Sequence, residues 1–324
     1  MARSTATWAE FRNPRKGTRV RRRGETISSV AEFIESITEN RGLPWHQIVY
    51  RGQKDIRWFT QASIFRNEDK LLRYEHEMGR ELMSLHPTEF TSDNTMFERL
   101  VRMQHYGIPT RLVDVSQNPL VALYFACEEH SELIDDDDLI EPGGRREIDG
   151  AVIAYNVPPG RSRFFDSDTV AILANLANLR WEEKKEIADN SATDSLQFNE
   201  LSSVRRLGSF IQAEKPYFKT KIDPRTPFMP MYVKPRLTNK RVIAQSGAFL
   251  IYGLDLPDSK SVFEHNIRQR YIHVPAGKKK EIREGLDRLG INESTLFPEL
   301  NKAADQIVRR YSRQLEDDSD LDVI

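Results

Sequence analysis

A chain of 324 residues with 39% hydrophobic content can bury one large core or two moderate ones, and implies neither a coiled coil nor a disordered majority. Its 48 basic and 49 acidic residues nearly cancel to a formal net charge of −1, so the overall field gives no reason to expect a nucleic-acid partner. The single cysteine, Cys127, excludes an internal disulfide, no apolar run reaches the roughly 20 residues of a membrane span, and without an apolar signal core the expected address is the cytoplasm.

Residues 1–25 gather Arg15, Lys16, Arg19, Arg21, Arg22 and Arg23 with little that is apolar, which reads as a mobile basic arm that either meets phosphates or an acidic partner or is simply solvated. Residues 26–315 read as one globular unit. Ser29 and Glu32 have capping-box spacing ahead of a helical face of Val30, Phe33, Ile34 and Ile37, which Arg41-Gly42 and Pro44 end. Ile48-Val49-Tyr50 suits a strand with Arg51-Gly52 at its end, and Leu71, Met78, Leu82 and Leu85 then form a helical stripe. Phe97, Leu100, Val101 and Met103 predict a further helix closed by Gly107, which puts Gln104 and His105 in its last turn. Leu112-Val113 turns strand-like, and Asn118-Pro119 reads as the cap and first position of another helix.

An acidic loop is expected over 132–148, around Asp135 to Asp138 and Pro142-Gly143-Gly144, as plain solvated chain rather than a calcium loop. Ala151 to Tyr155 returns to strand, and Val170, Leu173, Leu176 and Leu179 predict a helical stretch from about Asp168 to Asp189. Residues 216–236 are proline-rich and read as an irregular loop, either a lid or a packed loop of core aromatics. Arg241 to Tyr252 reads as strand interrupted by Gln245-Ser246-Gly247, a bulge signal. Two closing helices follow, around Lys278 to Leu289 and Pro298 to Leu315, before an acidic tail at 316–324.

Polar clusters embedded in apolar segments stand out: Tyr50-Arg51-Gly52-Gln53, Gln104 to Asp114 running into Ser116-Gln117-Asn118, and Gln245-Ser246-Gly247. With Trp58, Phe65-Arg66, Pro119 to Ala126, Arg241, Phe249, Leu289-Gly290-Ile291 and Leu296-Phe297-Pro298, these segments resemble the FRG-domain family, named for a Phe-Arg-Gly signature that stands here as Tyr50-Arg51-Gly52. Val115-Ser116 replaces the tryptophan-threonine pair usual in the family.

The layout in turn resembles that of arginine-type ADP-ribosyltransferases, which implies an α+β fold with a split mixed sheet and helices packed at both termini. That resemblance implies NAD as cofactor and a protein or nucleic-acid acceptor, as in a toxin or anti-phage defence effector; the alternative is a non-catalytic nucleotide-sensing or interaction module. Scattered histidines and a lone Cys127 suggest no metal site. Arg51, Asp114, Gln245 and His105 are the catalytic candidates. Arg51, Gly52, Gln53, Gln104, Thr110, Arg111 and Ser116 are the candidates for holding the nucleotide or dinucleotide. A guanidinium suits a pyrophosphate because its planar fork donates two hydrogen bonds. The resemblance places a glutamate where Gln245 stands, and an amide can bind a hydroxyl but cannot act as a base. Other readings stay open: Arg51 as a buried partner of Asp114 or Glu75, Arg111 paired with Asp114, and His105 as a capping residue. A single site requires Arg51, Gln104, Thr110, Arg111, Asp114 and Gln245 to converge.

Overall fold

The structure, a computed structural model, describes residues 7–12, 19–39, 42–66, 71–133, 145–236, 240–254 and 267–298. Its strands are β1 (Thr7–Arg12), β2 (Arg19–Thr26), β3 (Gln47–Gln53), β4 (Leu112–Ser116), β5 (Ser131–Leu133), β6 (Arg145–Glu147), β7 (Gly150–Val157), β8 (Ser162–Phe164), β9 (Met231–Lys234), β10 (Gly247–Ile251) and β11 (Arg268–Val274). Its helices are α1 (Val30–Glu39), α2 (Glu75–Leu85), α3 (Met96–His105), α4 (Pro119–Ala126), α5 (Asp168–Asn175), α6 (Trp181–Asp189), α7 (Ser195–Glu200), α8 (Ser202–Glu214), α9 (Lys240–Ala244), α10 (Lys279–Arg288) and α11 (Glu293–Leu296).

Nine strands form one mixed sheet in the order β1-β2-β11-β7-β3-β4-β10-β9-β8, and β5 pairs with β6 apart from it. Pairing is antiparallel except between β2 and β11 and between β8 and β9. The interior strand β7, between β11 and β3, is buried on both faces, which is why it reads as a continuous apolar run rather than an alternation. Its Ile153, Tyr155 and Val157 join the core that α3, α5, α6 and α8 cover. Val152 and Ala154 join a second core on the other face, under α1, α4, α10 and α11.

One seam weakens this sheet. β3 pairs with β7 along its whole length from Gln47 to Gln53, and β4 with β10 from Leu112 to Ser116. Between β3 and β4, by contrast, the register holds at Tyr50–Ser116 alone.

Several elements differ from the sequence expectation for identifiable reasons. Residues 7–12 and 19–26, read as part of a basic arm, are strands, and β2 runs parallel to β11 through Gly24, Glu25 and Thr26. The helical stretch from Asp168 to Asp189 is two helices, because a turn at Leu176–Asn178 and Arg180 at a cap position redirect the chain. The proline-rich segment contains β9, whose Met231, Tyr232 and Val233 are buried. Lys240–Ala244 is helix where strand was expected, and Ser246, at φ 46°, turns the chain into β10. The α7–α8 pair fills a segment for which the pattern gave no assignment. The acidic run at Asp135 to Asp138, the acidic tail and, but for Pro298, the helix expected from Pro298 to Leu315 lie outside the described residues.

Candidate functional site

A cleft of about 320 Å³ opens at the seam. Its lining comes from Tyr50 to Gln53 at the end of β3, Gln104 and His105 at the end of α3, Asp114 to Ser116 of β4, and Val121, Ala122 and Phe125 of α4. Arg241 and Gln245, from α9 and the turn after it, also line it. Helices α3 and α4 belong to opposite faces of the sheet. The cleft therefore draws on both helical layers, which an unbroken ladder between β3 and β4 would keep apart.

Glycine at position 52 is explained by the approach of α4: a Cβ there would fall 1.9 Å from the carbonyl oxygen of Ala122 and 2.6 Å from the amide nitrogen of Ala126. The same helix leans on Gly150, where a Cβ would meet the Ala126 carbonyl oxygen at 2.0 Å. Asn118 caps α4 by accepting from the Leu120 N–H, and Pro119 occupies its first turn, as the sequence predicts.

Arg51 reaches across the seam. One of its terminal nitrogens donates to the Asp114 carbonyl oxygen at 2.7 Å, a group that the interrupted ladder leaves available. Its Nε is buried without a hydrogen-bond partner, and so is the side-chain oxygen of Gln53, whose amide nitrogen donates to Thr60 Oγ1 at 3.3 Å. Two buried polar atoms of opposite character, one donor and one acceptor, thus stand unsatisfied in residues that line the cleft.

The Asp114 carboxylate is exposed at the cleft and is held from behind. The Thr110 hydroxyl donates to Gln104 Oε1, and Gln104 Nε2 donates to Asp114 Oδ2 at 2.8 Å. Thr110 itself is buried and does not line the cleft, so its part is to orient Gln104. Ser116 Oγ donates to the Gln245 carbonyl oxygen at 2.7 Å and accepts from the Asn118 N–H, which ties β4 to the α9 turn. The Gln245 side-chain nitrogen donates to the Leu296 carbonyl oxygen at 3.1 Å. His105 is exposed at the rim, edge-on to Tyr106 with ring centroids 5.3 Å apart.

Residues 46–134 match the family model of the FRG domain. An FRG domain occupies that stretch. No curated protein and no solved structure matches the chain. The FRG domain supplies β3, α3, β4 and α4 to the cleft, while α9 and β10 come from outside it.

One expected ligand residue of the FRG domain belongs elsewhere. Arg111 is fully buried, with Nε and a terminal nitrogen donating to the Glu75 carboxylate at 3.0 and 2.5 Å. Lys184 Nζ donates to the same carboxylate at 2.6 Å, and another Arg111 nitrogen donates to the Tyr252 and Gly253 carbonyls. Arg111 is therefore neither a nucleotide contact nor the partner of Asp114; it is absent from the cleft lining. Burial pushes the Glu75 carboxyl up, but the charges of Arg111 and Lys184 outweigh it and hold the group below its ordinary value.

Four charged residues of the cleft, Lys54, Arg66, Glu128 and Arg241, were not among the candidates, nor was Trp58. Arg241 and Gln245 stand four apart across a helix end, a spacing that puts both on one face once the helix is recognised. Arg241 stacks on Phe297, 4.9 Å from its ring centroid, and Phe297 meets Phe125 edge-on at 6.0 Å. Desolvation, and after it the charge of Arg51, lowers the Arg66 pKa from the ordinary arginine value. Among the described residues neither guanidinium is ion-paired with a carboxylate: Arg51 bonds to a carbonyl oxygen and Arg66 to the carbonyl oxygen of Gln61 at 3.4 Å. Among the described residues, and counting Arg51, the lining holds four basic side chains against the acidic Asp114 and Glu128. No group of three histidine, cysteine or acidic side chains gathers at metal-binding distance among the described residues.

Proposed function

We propose that this cleft binds a phosphate-bearing nucleotide, with NAD the foremost candidate. The observation that carries the reading is the pair Arg51 and Arg66, two guanidiniums that line one cleft with no carboxylate ion-paired to either among the described residues. Like charges held together cost free energy, and a dianionic phosphoryl group between them removes the cost while using donors such as the buried Arg51 Nε. The Gln53 oxygen supplies an acceptor for a hydroxyl of the same ligand. A volume of about 320 Å³ lies at the small end of the range for ligand pockets, enough for part of a dinucleotide with the rest extending toward solvent.

The reaction proposed for the site is ADP-ribosyl transfer to a protein or nucleic-acid acceptor, the activity of a toxin or defence effector. In it the bond from ribose to nicotinamide breaks, nicotinamide leaves with the electron pair, and the acceptor's nucleophile bonds to the ribose carbon. Asp114 is the carboxylate assigned to favour the cationic transition state and take the acceptor's proton, because Gln104 holds it at the cleft. A second reading, a sensor that binds nucleotide without turning it over, is favoured by Gln245, whose amide is engaged with Leu296 and cannot act as a base.

Incubation of the full chain with NAD labelled in its adenylate half tests the transferase reading, with free nicotinamide and labelled acceptor as the expected products. Binding of NAD by calorimetry without nicotinamide release selects the sensor. Failure to bind NAD, ADP-ribose, AMP or pyrophosphate overturns the nucleotide reading altogether.

A further inference from the structure

We infer that Trp58 is a stacking platform for a planar aromatic ring, so that the cleft selects nucleoside phosphates over sugar phosphates. The inference rests on the phosphate-binding reading of the cleft and adds the ligand's other half. Trp58 lines the cleft and remains 42% exposed, an unusual place for so large an apolar ring inside a domain with two well-filled cores. Trp45 is more exposed still, at 91%, but it contributes nothing to the cleft wall.

The indole is also braced. The His130 ring packs against it, with centroids 5.3 Å apart and planes inclined at 58°. His130 in turn stands 3.5 Å from the Asp55 carboxylate, which is buried and receives hydrogen bonds from Arg57 Nε and from an Arg57 terminal nitrogen at 2.8 Å. Arg57 also bonds to Glu132 at 2.7 Å. The backbone is fixed as well, since the Trp58 N–H donates to the Asp55 carbonyl and the Ile56 N–H to that of Asp149. A ring held this way loses little freedom on stacking, which is the condition for a preorganised platform. Every nucleobase, and nicotinamide too, offers a flat π-face to such a ring. Lys54 Nζ lies over the indole ring, 6.0 Å from its centroid, so a stacked heterocycle takes its place and leaves the flexible ammonium, with Glu128 of the same lining, to meet the polar edge.

The test compares ligands that differ by the ring alone. Calorimetric titration of the full chain with AMP and with ribose 5-phosphate, alongside NAD and inorganic pyrophosphate, reads the platform as a ratio of affinities. AMP is expected to bind about tenfold more tightly than ribose 5-phosphate, the size of one base stacked on an aromatic side chain. Trp58→Ala is expected to erase that ratio and Trp58→Phe to retain most of it, with pyrophosphate affinity the same in all three proteins. Equal affinities for AMP and ribose 5-phosphate in the parent, or a ratio that survives in Trp58→Ala, overturns the platform while leaving the phosphate site standing. If none of the four probes binds, both readings fall together. Unfolding of Trp58→Ala is monitored by circular dichroism, and Trp58→Leu, which keeps apolar bulk but has no π-face and should also erase the ratio, carries the comparison should the alanine variant not fold.

Discussion

Arg111 is sealed against Glu75 and Lys184, whereas Arg51 opens onto the cleft, and substitution separates the two settings. Arg111→Ala leaves a buried carboxylate with half its compensation and should cost about 3–5 kcal/mol in urea unfolding, with any ligand affinity of the folded fraction unchanged. Arg51→Lys keeps the charge but loses the planar donor array, so nucleotide affinity should fall about tenfold or more, in line with roughly 1.5–3 kcal/mol for a charged hydrogen bond. Its melting temperature should match the parent's; a drop of several degrees would make Arg51 architecture rather than ligand contact. The two arginines look alike in the sequence because what distinguishes them is distant: the carboxylate that claims Arg111 lies 36 residues earlier. Cys127 adds a third case. Burial pushes its thiol up to about 12, against the lowering influence of Lys279 and Arg283. At pH 8 it should stay inert to a disulfide reagent in the native protein and react at once in guanidinium, which absorbance of the released thiolate reports.

Among the elements, α4 depends on having no side chain beneath it. Gly52→Ala would force a methyl group into the helix backbone, displacing α4 or unfolding its contact with β3, at an expected cost of about 1–3 kcal/mol or more in the denaturation midpoint. Helices of this kind were legible in the sequence because their signals are local: the Asn118-Pro119 start of α4, and Gly107, at φ 88°, just past the end of α3. The strands β3, β4 and β7 announced themselves by β-branched and aromatic runs. Helix α9 did not, since five residues containing Val242 and Ile243 carry a strand propensity that tertiary context overrides. The seam was still less legible. Residues such as Arg51 and Asp114 could be picked as polar groups at strand ends, but a missing rung between two strands has no sequence signature of its own. That is also why Trp58 and Arg66 escaped notice as cleft residues: their importance comes from the opening beside them.

For the molecule as a whole, the buried cluster around Glu75 predicts how it meets acid. The folded pKa of Glu75 is depressed, so the unfolded chain takes up the proton first as pH falls. The stability this group contributes is complete above the ordinary glutamate range near pH 4 and is lost as pH drops through the lower folded value. Urea midpoints measured from pH 7 down to pH 2 should fall, and Glu75→Gln should be less stable at pH 7 yet flatter with pH. The seam has a mechanical consequence. Seven register pairs tie β3 to β7 and five tie β4 to β10, against one between β3 and β4, so the sheet is two stiff plates joined along a narrow hinge line. Pulled apart across the strands, such a plate pair parts at the hinge before either half frays. Opening along that line would widen the mouth around Arg51 against the resistance of the core that crosses it, where Val49 and Tyr155 on one side pack in the same cluster as Val113, Val115 and Leu250 on the other.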